Sequence, residues 1–239
     1  MADFFLMQNK ITTVPDGATA TPVDDYTIWL QCATLPNTYG SLANVIANST
    51  AMETLCNNLN ALRYMRRSPS TILPAIYADS DWVAELKASI YAVKVPTMTG
   101  YTTPSGEVTA SGYYNGYLPW YAFALNIPDG ESTYWVVKTA TAWIQYEFTD
   151  SVWLFGAEFK SYYASYGPKT IKLQGSNNGT DYVDLTDAVT ALNNTDLQYF
   201  NAGLKTATQY SIIRLDISEG YDAGQVGCKY LQFYGLDLS

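Results

Sequence analysis

Residues 169–185 read KTIKLQGSNNGTDYVDL. Thr170, Ile171 and Leu173 on one side, and Tyr182, Val183 and Leu185 on the other, favour pleated backbone. The Ser-Asn-Asn-Gly-Thr between them supplies residues that tolerate the φ > 0 conformations of a tight connection. The stretch predicts a β-hairpin. The same pattern extends outward: AWIQYEF (142–148), VWLFGAEF (152–159), YSIIRLDI (210–217) and KYLQFYGLDL (229–238) are short strand signals separated by turns. Helical periodicity is nearly absent beyond residue 112, which predicts an antiparallel sandwich or barrel.

The first part of the chain reads differently. Residues 1–39 mix turn signals (VPDGATATP) with DYTIWLQCA, read as an extended run, and are too few for a core of their own. They predict an N-terminal docking or oligomerisation segment. Residues 40–95 hold an internal repeat with an offset of 31 positions, laying SLANVIANSTAMETLCNNLNAL over ILPAIYADSDWVAELKASIYAV. Leu42 falls on Leu73, Ala47 on Ala78, Ser49 on Ser80 and Leu55 on Leu86. Each copy reads as a short helix, a polar break and a longer helix, together forming a helical spacer. Thr50 and Glu53 have capping-box spacing. Met52, Leu55, Leu59 and Leu62, matched by Val83, Leu86, Ile90 and Val93, mark one apolar face. Arg63, Arg66 and Arg67 fall where cations complement a helix dipole. Residues 96–111, rich in Thr, Pro, Gly and Ser, read as a linker, leaving 112–239 as the β domain.

Composition narrows the chemistry. The net charge of −9 with only 13 Lys and Arg argues against nucleic acid and anionic membranes as partners. The absence of histidine removes Ser-His-Asp and Cys-His catalysis and imidazole zinc sites. Cys32, Cys56 and Cys228 are odd in number and widely spaced, and read as small buried hydrophobes. The N-terminal MADFFLMQNK lacks the pattern of a signal peptide, and no run reaches transmembrane length.

Twenty-one tyrosines are the compositional outlier, and each combines a flat apolar ring with a polar tip. Sugar binding needs aromatic faces together with amides and carboxylates. Three loops supply them: GYYNGYLPWYA, with Tyr113, Tyr114, Asn115, Tyr117 and Trp120; KSYYASYGPK, with Tyr162, Tyr163 and Tyr166; and SEGYDAGQVG, with Glu219, Tyr221, Asp222 and Gln225. The same aromatics could instead cover the ends of the sandwich or a subunit interface. Asp181, Asp184 and Asp187 provide carboxylates, but no activating partner accompanies them, and no enzyme activity is expected.

WIQYEF (143–148), the 169–185 hairpin, YSIIRLDI (210–217) and LQFYG (231–235) occur in an order that resembles discoidin domains, the coagulation factor 5/8 type C family with its galactose-binding-like carbohydrate modules. The resemblance spans residues 108–239. It implies an eight-stranded jelly-roll sandwich with ligand loops at one end. The fold class expected is therefore mainly β, a discoidin-like antiparallel jelly roll preceded by a helical repeat region and an extended docking segment. The family's Ala-Phe-Asp-Gly-like segment, whose Asp helps hold calcium, matches YAFALN, where Ala124 replaces the acid and Trp135 matches the downstream Trp. A hard oxygen ligand is thereby lost. No cofactor is expected, with Asn126 and backbone carbonyls the remaining donors for a family-type calcium.

VPTMTGYTTPSG (95–106) also resembles linkers of tailed-phage fibre and virion-surface proteins. That resemblance implies a tail- or head-fibre subunit on the virion surface, made in the host cytoplasm. Its N-terminal region would dock on other virion proteins, its tip would bind host surface glycan, and it would be a homo-oligomer, as a trimer. The alternative is a capsid decoration or adaptor protein that uses the sandwich only for protein contacts.

Overall fold

The computed structural model describes residues 24–124 and 133–239. Among the described residues, six short helices come first: α1 (Asp25–Cys32), α2 (Leu42–Ile46), α3 (Ser49–Cys56), α4 (Leu59–Arg67), α5 (Pro69–Tyr77) and α6 (Ser80–Ala88). Side-chain caps set most of their starts. Asp24 accepts from Thr27 N at 2.9 Å, Asn48 from Ala51 N at 2.9 Å and Asn58 from Ala61 N at 3.1 Å. Asp79 caps α6 by accepting from Asp81 N at 2.9 Å.

The 31-residue repeat is real at the level of structure, since α2 and α3 correspond to α5 and α6, and the caps Asn48 and Asp79 are themselves equivalent. Several details differ from the sequence reading. DYTIWLQCA is helical, because Asp24 caps it and Trp29 and Leu30 find a core. Asn48 caps α3 instead of a Thr50–Glu53 box, leaving Thr50 inside the helix. The first long helix is interrupted at Asn57–Asn58, where Asn58 opens α4, so Met52 and Leu62 sit on separate helices. In the second copy α6 ends at Ala88, Ile90 is exposed, and Val93 belongs to a strand. Arg66 and Arg67 do lie in the last turn of α4, while Arg63 Nε donates to Leu238 O at 3.0 Å.

The remainder is antiparallel β structure, the expected sandwich. One 20-residue strand, β4 (Ala142–Ser161), runs through both of its sheets. The first half of β4 pairs with β2 (Glu107–Ala110) and β9 (Tyr210–Gly220). That sheet continues through β5 (Pro168–Ser176) to β6 (Val183–Asp184) and β7 (Val189–Thr190). After an irregularity between Glu147 and Val152, the second half pairs with β8 (Gln198–Asn201) and β10 (Val226–Leu236). β10 also carries β1 (Ala92–Lys94) and β3 (Trp135–Val137).

Burial along β4 explains this layout. From Ala142 to Phe148 buried and more exposed positions alternate, as in a sheet with one wet face; from Val152 to Phe159 every residue is buried. Leu154, Ala157 and Phe159 enter the core between the sheets, with Ile144, Leu173, Leu215 and Phe233. Trp153 and Phe155, with Leu236 and Leu238, enter a second core with Leu30, Leu55, Leu62, Ile72 and Trp82 of the helices. The helices thus form a third layer sharing a core with the second sheet. Burial of Phe155 alone is worth roughly 1.5–3 kcal/mol.

The stretch read as a linker, 96–111, also packs on the sandwich. Met98 and Val108 are in its core, β2 pairs with β4, and Tyr146 Oη donates to Ser105 O at 2.7 Å. Just before it, the buried Gln232 side chain accepts from Val95 N at 2.8 Å and donates to Val95 O at 2.9 Å. The 169–185 hairpin forms as expected, with Gln174 opposite Asp184 and Gly175 opposite Val183. Gly179 adopts φ +73° in its turn, and Asn178 Oδ1 accepts from Thr180 N and Asp181 N.

Candidate functional site: a row of stacked tyrosines

Residues 111–118 form a loop pinned to β3. Trp135 Nε1 donates to Gly112 O at 2.8 Å, and Tyr114 N donates to Val136 O at 2.8 Å. Asn115, at φ +51°, turns the chain so that Tyr114 and Tyr117 bridge each other. Asn is among the residues that tolerate this left-handed region. At the far end of β4, Tyr162 and Tyr163 continue past Ser161 into the turn that carries Tyr166.

These two loops meet across Tyr134. Ring centroids step from Tyr114 to Tyr117 (6.4 Å), Tyr134 (4.6 Å), Tyr162 (3.4 Å), Tyr163 (4.1 Å) and Tyr166 (6.0 Å). The first three steps are stacked and the last two tilted or edge-on. Tyr134 is the keystone at 6% exposure, while Tyr114 at 39% and Tyr163 at 52% present open ring surface. Burial, followed by hydrogen bonds to Tyr117 and Tyr162, pushes the Tyr134 phenol well above the ordinary range. Tyr162 is raised mainly by burial. Tyr134 and Tyr162 are therefore neutral at physiological pH, their phenol groups serving as donors and acceptors.

The structure thus brings together Tyr114, Tyr117, Tyr162, Tyr163 and Tyr166 from two of the predicted loops, and Asn115 forms their turn. The other residues take different positions. Tyr113 is exposed and neighbours the phenol of Tyr101, which burial and the Tyr113 and Tyr121 hydroxyls push up. Trp120 packs against the sandwich core and tilts onto Tyr121 at 4.3 Å. Tyr221 Oη donates to Ala191 O at 2.7 Å, and its N–H donates to Gly167 O, tying the third loop to the second. Asp222 Oδ1 accepts from Gly224 N at 2.7 Å within its own turn. The third loop reaches the row through Gln225, whose side chain accepts from Lys138 Nζ; that ammonium lies 4.8 Å from the Tyr114 ring centroid.

Sequence reasoning missed Tyr134 and Lys138. Tyr134 directly precedes Trp135, the residue already matched to the family's downstream Trp, and that adjacency was the available signal.

The acidic trio is occupied structurally. Asp184 pairs with Lys172 at 2.7 Å and accepts from Gln174, Asp181 accepts from Asn178 Nδ2 at 2.7 Å, and Asp187 pairs with Lys205 at 2.5 Å. Asp184 is held below the usual carboxylate range by those hydrogen bonds. Among the described residues, no three of His, Cys, Asp and Glu cluster as a metal site, and no helix is long and apolar enough to cross a membrane. Asn126, the remaining side-chain donor considered for calcium, lies outside the described residues.

No protein-family model and no curated protein sequence matches the chain. Solved structures do share similarity. One is CpGH89CBM32-5 from Clostridium perfringens, in complex with GalNAc-β-1,3-galactose: 16% identity, 54% of this chain and 94% of that one covered, TM-score 0.44. A second is the F5/8 type C domain of a Bacteroides fragilis protein: 18% identity, 55% and 92% covered, TM-score 0.45. A third is the family 32 carbohydrate-binding module of C. perfringens NanJ in complex with galactose: 12% identity, 60% and 98% covered, TM-score 0.46.

Proposed function

We propose that this chain is a non-enzymatic glycan-binding protein whose ligand lies along the tyrosine row. The observation that carries the reading is the assembly of six tyrosines from three separate stretches of chain into one row with exposed rings at Tyr114 and Tyr163. A stack held this rigidly loses little side-chain entropy when a sugar ring settles on it. Phenol hydroxyls and the Gln225 amide supply the hydrogen bonds that sugar hydroxyls require. The structural engagement of Asp181, Asp184 and Asp187 supports binding without hydrolysis.

The wider setting we propose is the virion surface of a tailed phage. There the N-terminal region docks on other virion proteins, and trimeric copies add avidity toward host glycan. This setting rests on the sequence resemblance of residues 95–106 to fibre linkers, although the stretch packs on the sandwich here.

The test uses the whole chain, because the helices and the sandwich share a core. Wild type is applied to an array of bacterial surface polysaccharides beside Tyr114→Ala and Tyr163→Ala, with melting curves for each. Each variant is expected to stay folded and lose about tenfold in affinity, a typical cost for an exposed aromatic anchor. If folded wild type binds nothing, alone or multimerised, the glycan reading fails and protein-only contacts take its place.

A further inference from the structure

We propose that the Lys138–Gln225–Tyr114 corner is an anion subsite, so that the glycan carries carboxylates, as uronate or sialate units do. This rests on the glycan reading and specifies the ligand's charge. The corner is built by backbone register. Val137 of β3 pairs with Val226 of β10, which sets Lys138 and Gln225 side by side just beyond the ladder. Tyr114 N is bonded to Val136 O, which brings the first loop to the same place. The result joins all three predicted loop regions to the row: Gln225 accepts from the Lys138 ammonium, and that ammonium lies 4.8 Å from the centroid of the Tyr114 ring.

The exposed Lys138 has donors to spare, since an ammonium has three protons and Gln225 Oε1 engages one of them. The Gln225 amide nitrogen adds a further donor. Among the described residues, carboxylates pair with Lys87, Lys169, Lys172 and Lys205, and Lys138 is in none of these ion pairs. Asp222, the acid nearest along the third loop, directs its Oδ1 to Gly224 N. On a chain of net charge −9, a cation outside these ion pairs stands at the end of the aromatic row. A sugar ring stacked on Tyr114 would place its carboxylate against donors of complementary sign.

The probes are paired: oligomers of galacturonate, mannuronate and polysialic acid, each measured against its carboxyl-methyl ester, which has the same backbone without the charge. The whole chain should bind at least one acid about tenfold tighter than its ester, the scale of a hydrogen bond to a charged group, and the preference should shrink as salt rises. K138Q should abolish the preference while keeping ester binding, and K138R should retain much of it. Tyr163→Ala should weaken acid and ester alike. Equal binding of acids and esters by wild type, or an acid preference that survives in K138Q, overturns the subsite and leaves the glycan reading standing. Binding of neither series, together with silence on the polysaccharide array, overturns both.

Discussion

Tyr134 and Tyr162 stack with ring centroids 3.4 Å apart and planes 18° from parallel, although 27 positions separate them in the chain. One ring directly precedes β3 and the other sits at the last turn out of β4, strands that both pair with β10. The contact joins the loop carrying Tyr114 to the loop carrying Tyr166.

Removing the keystone should therefore cost stability and function together. Tyr134→Ala leaves a cavity where a nearly buried ring stood and is expected to lower stability by about 3 kcal/mol, read from the urea midpoint. Glycan affinity should fall with it. A Tyr134→Ala protein of wild-type stability would show that the row does not depend on this ring.

Alkaline pH should unfold the protein through its phenols. Burial, helped by a hydrogen bond to Asp25, raises Tyr64 to about 12, and burial raises Tyr134 and Tyr234 as well. Folded values above the unfolded value of about 10 mean that the folded state holds these protons more tightly. Their stabilising contribution is complete below about pH 10 and is lost as pH rises through the folded values. Urea midpoints should thus be level up to about pH 10 and then decline, with tyrosinate absorbance appearing late. Full tyrosinate absorbance near pH 10 in folded protein would contradict this.

Trp153 and Phe155 join the helices and the sandwich in one core, so the two are expected to unfold together. Trp153→Ala should cost about 3–5 kcal/mol. Cys56 in the helical core and Cys228 in the sandwich core are buried thiols, and burial raises both. They should become reactive at the same urea concentration, in wild type and variant alike. Labelling of Cys56 while Cys228 stays protected would show that the layers unfold separately.

The wet face of the first sheet is held by Arg214. Its guanidinium lies 3.5 Å from the Tyr182 ring centroid and 4.1 Å from that of Trp143, and Nε donates to Gln145 Oε1 at 2.9 Å. Tyr182 Oη donates to the same oxygen at 2.8 Å, clamping the 169–185 hairpin onto β9 and β4. Arg214→Ala should cost about 1–3 kcal/mol by thermal melting, and Arg214→Lys should recover little, because an ammonium cannot lie flat between two rings. Full rescue by lysine would mean that charge alone matters here.

Much of the fold was legible in particular residues. Ser176 to Asp181 announced a turn because Asn178 and Gly179 satisfy and permit its backbone locally. The 31-residue repeat was visible because Leu42, Ala47, Ser49 and Leu55 recur as Leu73, Ala78, Ser80 and Leu86 at a fixed offset. The strand runs were legible from their β-branched and aromatic content. DYTIWLQCA misled because its propensities are divided, and its helix is settled by the Asp24 cap and by the core that receives Trp29 and Leu30. Residues 96–111 have the composition of a linker, yet Met98 and Val108 find a buried place that composition does not report.

What the sequence determined by itself is what acts over short range: strands, turns, the repeat, and the absence of histidine chemistry. The tertiary structure decided which faces are covered and which loops meet. The unbroken burial of Val152–Phe159 comes from helices on one side and the first sheet on the other, and the tyrosine row exists only because β3, β4 and β10 bring Tyr134 and Tyr162 together. The physical reason is that burial and stacking depend on contacts between residues far apart in the chain, whereas propensity and capping depend on neighbours.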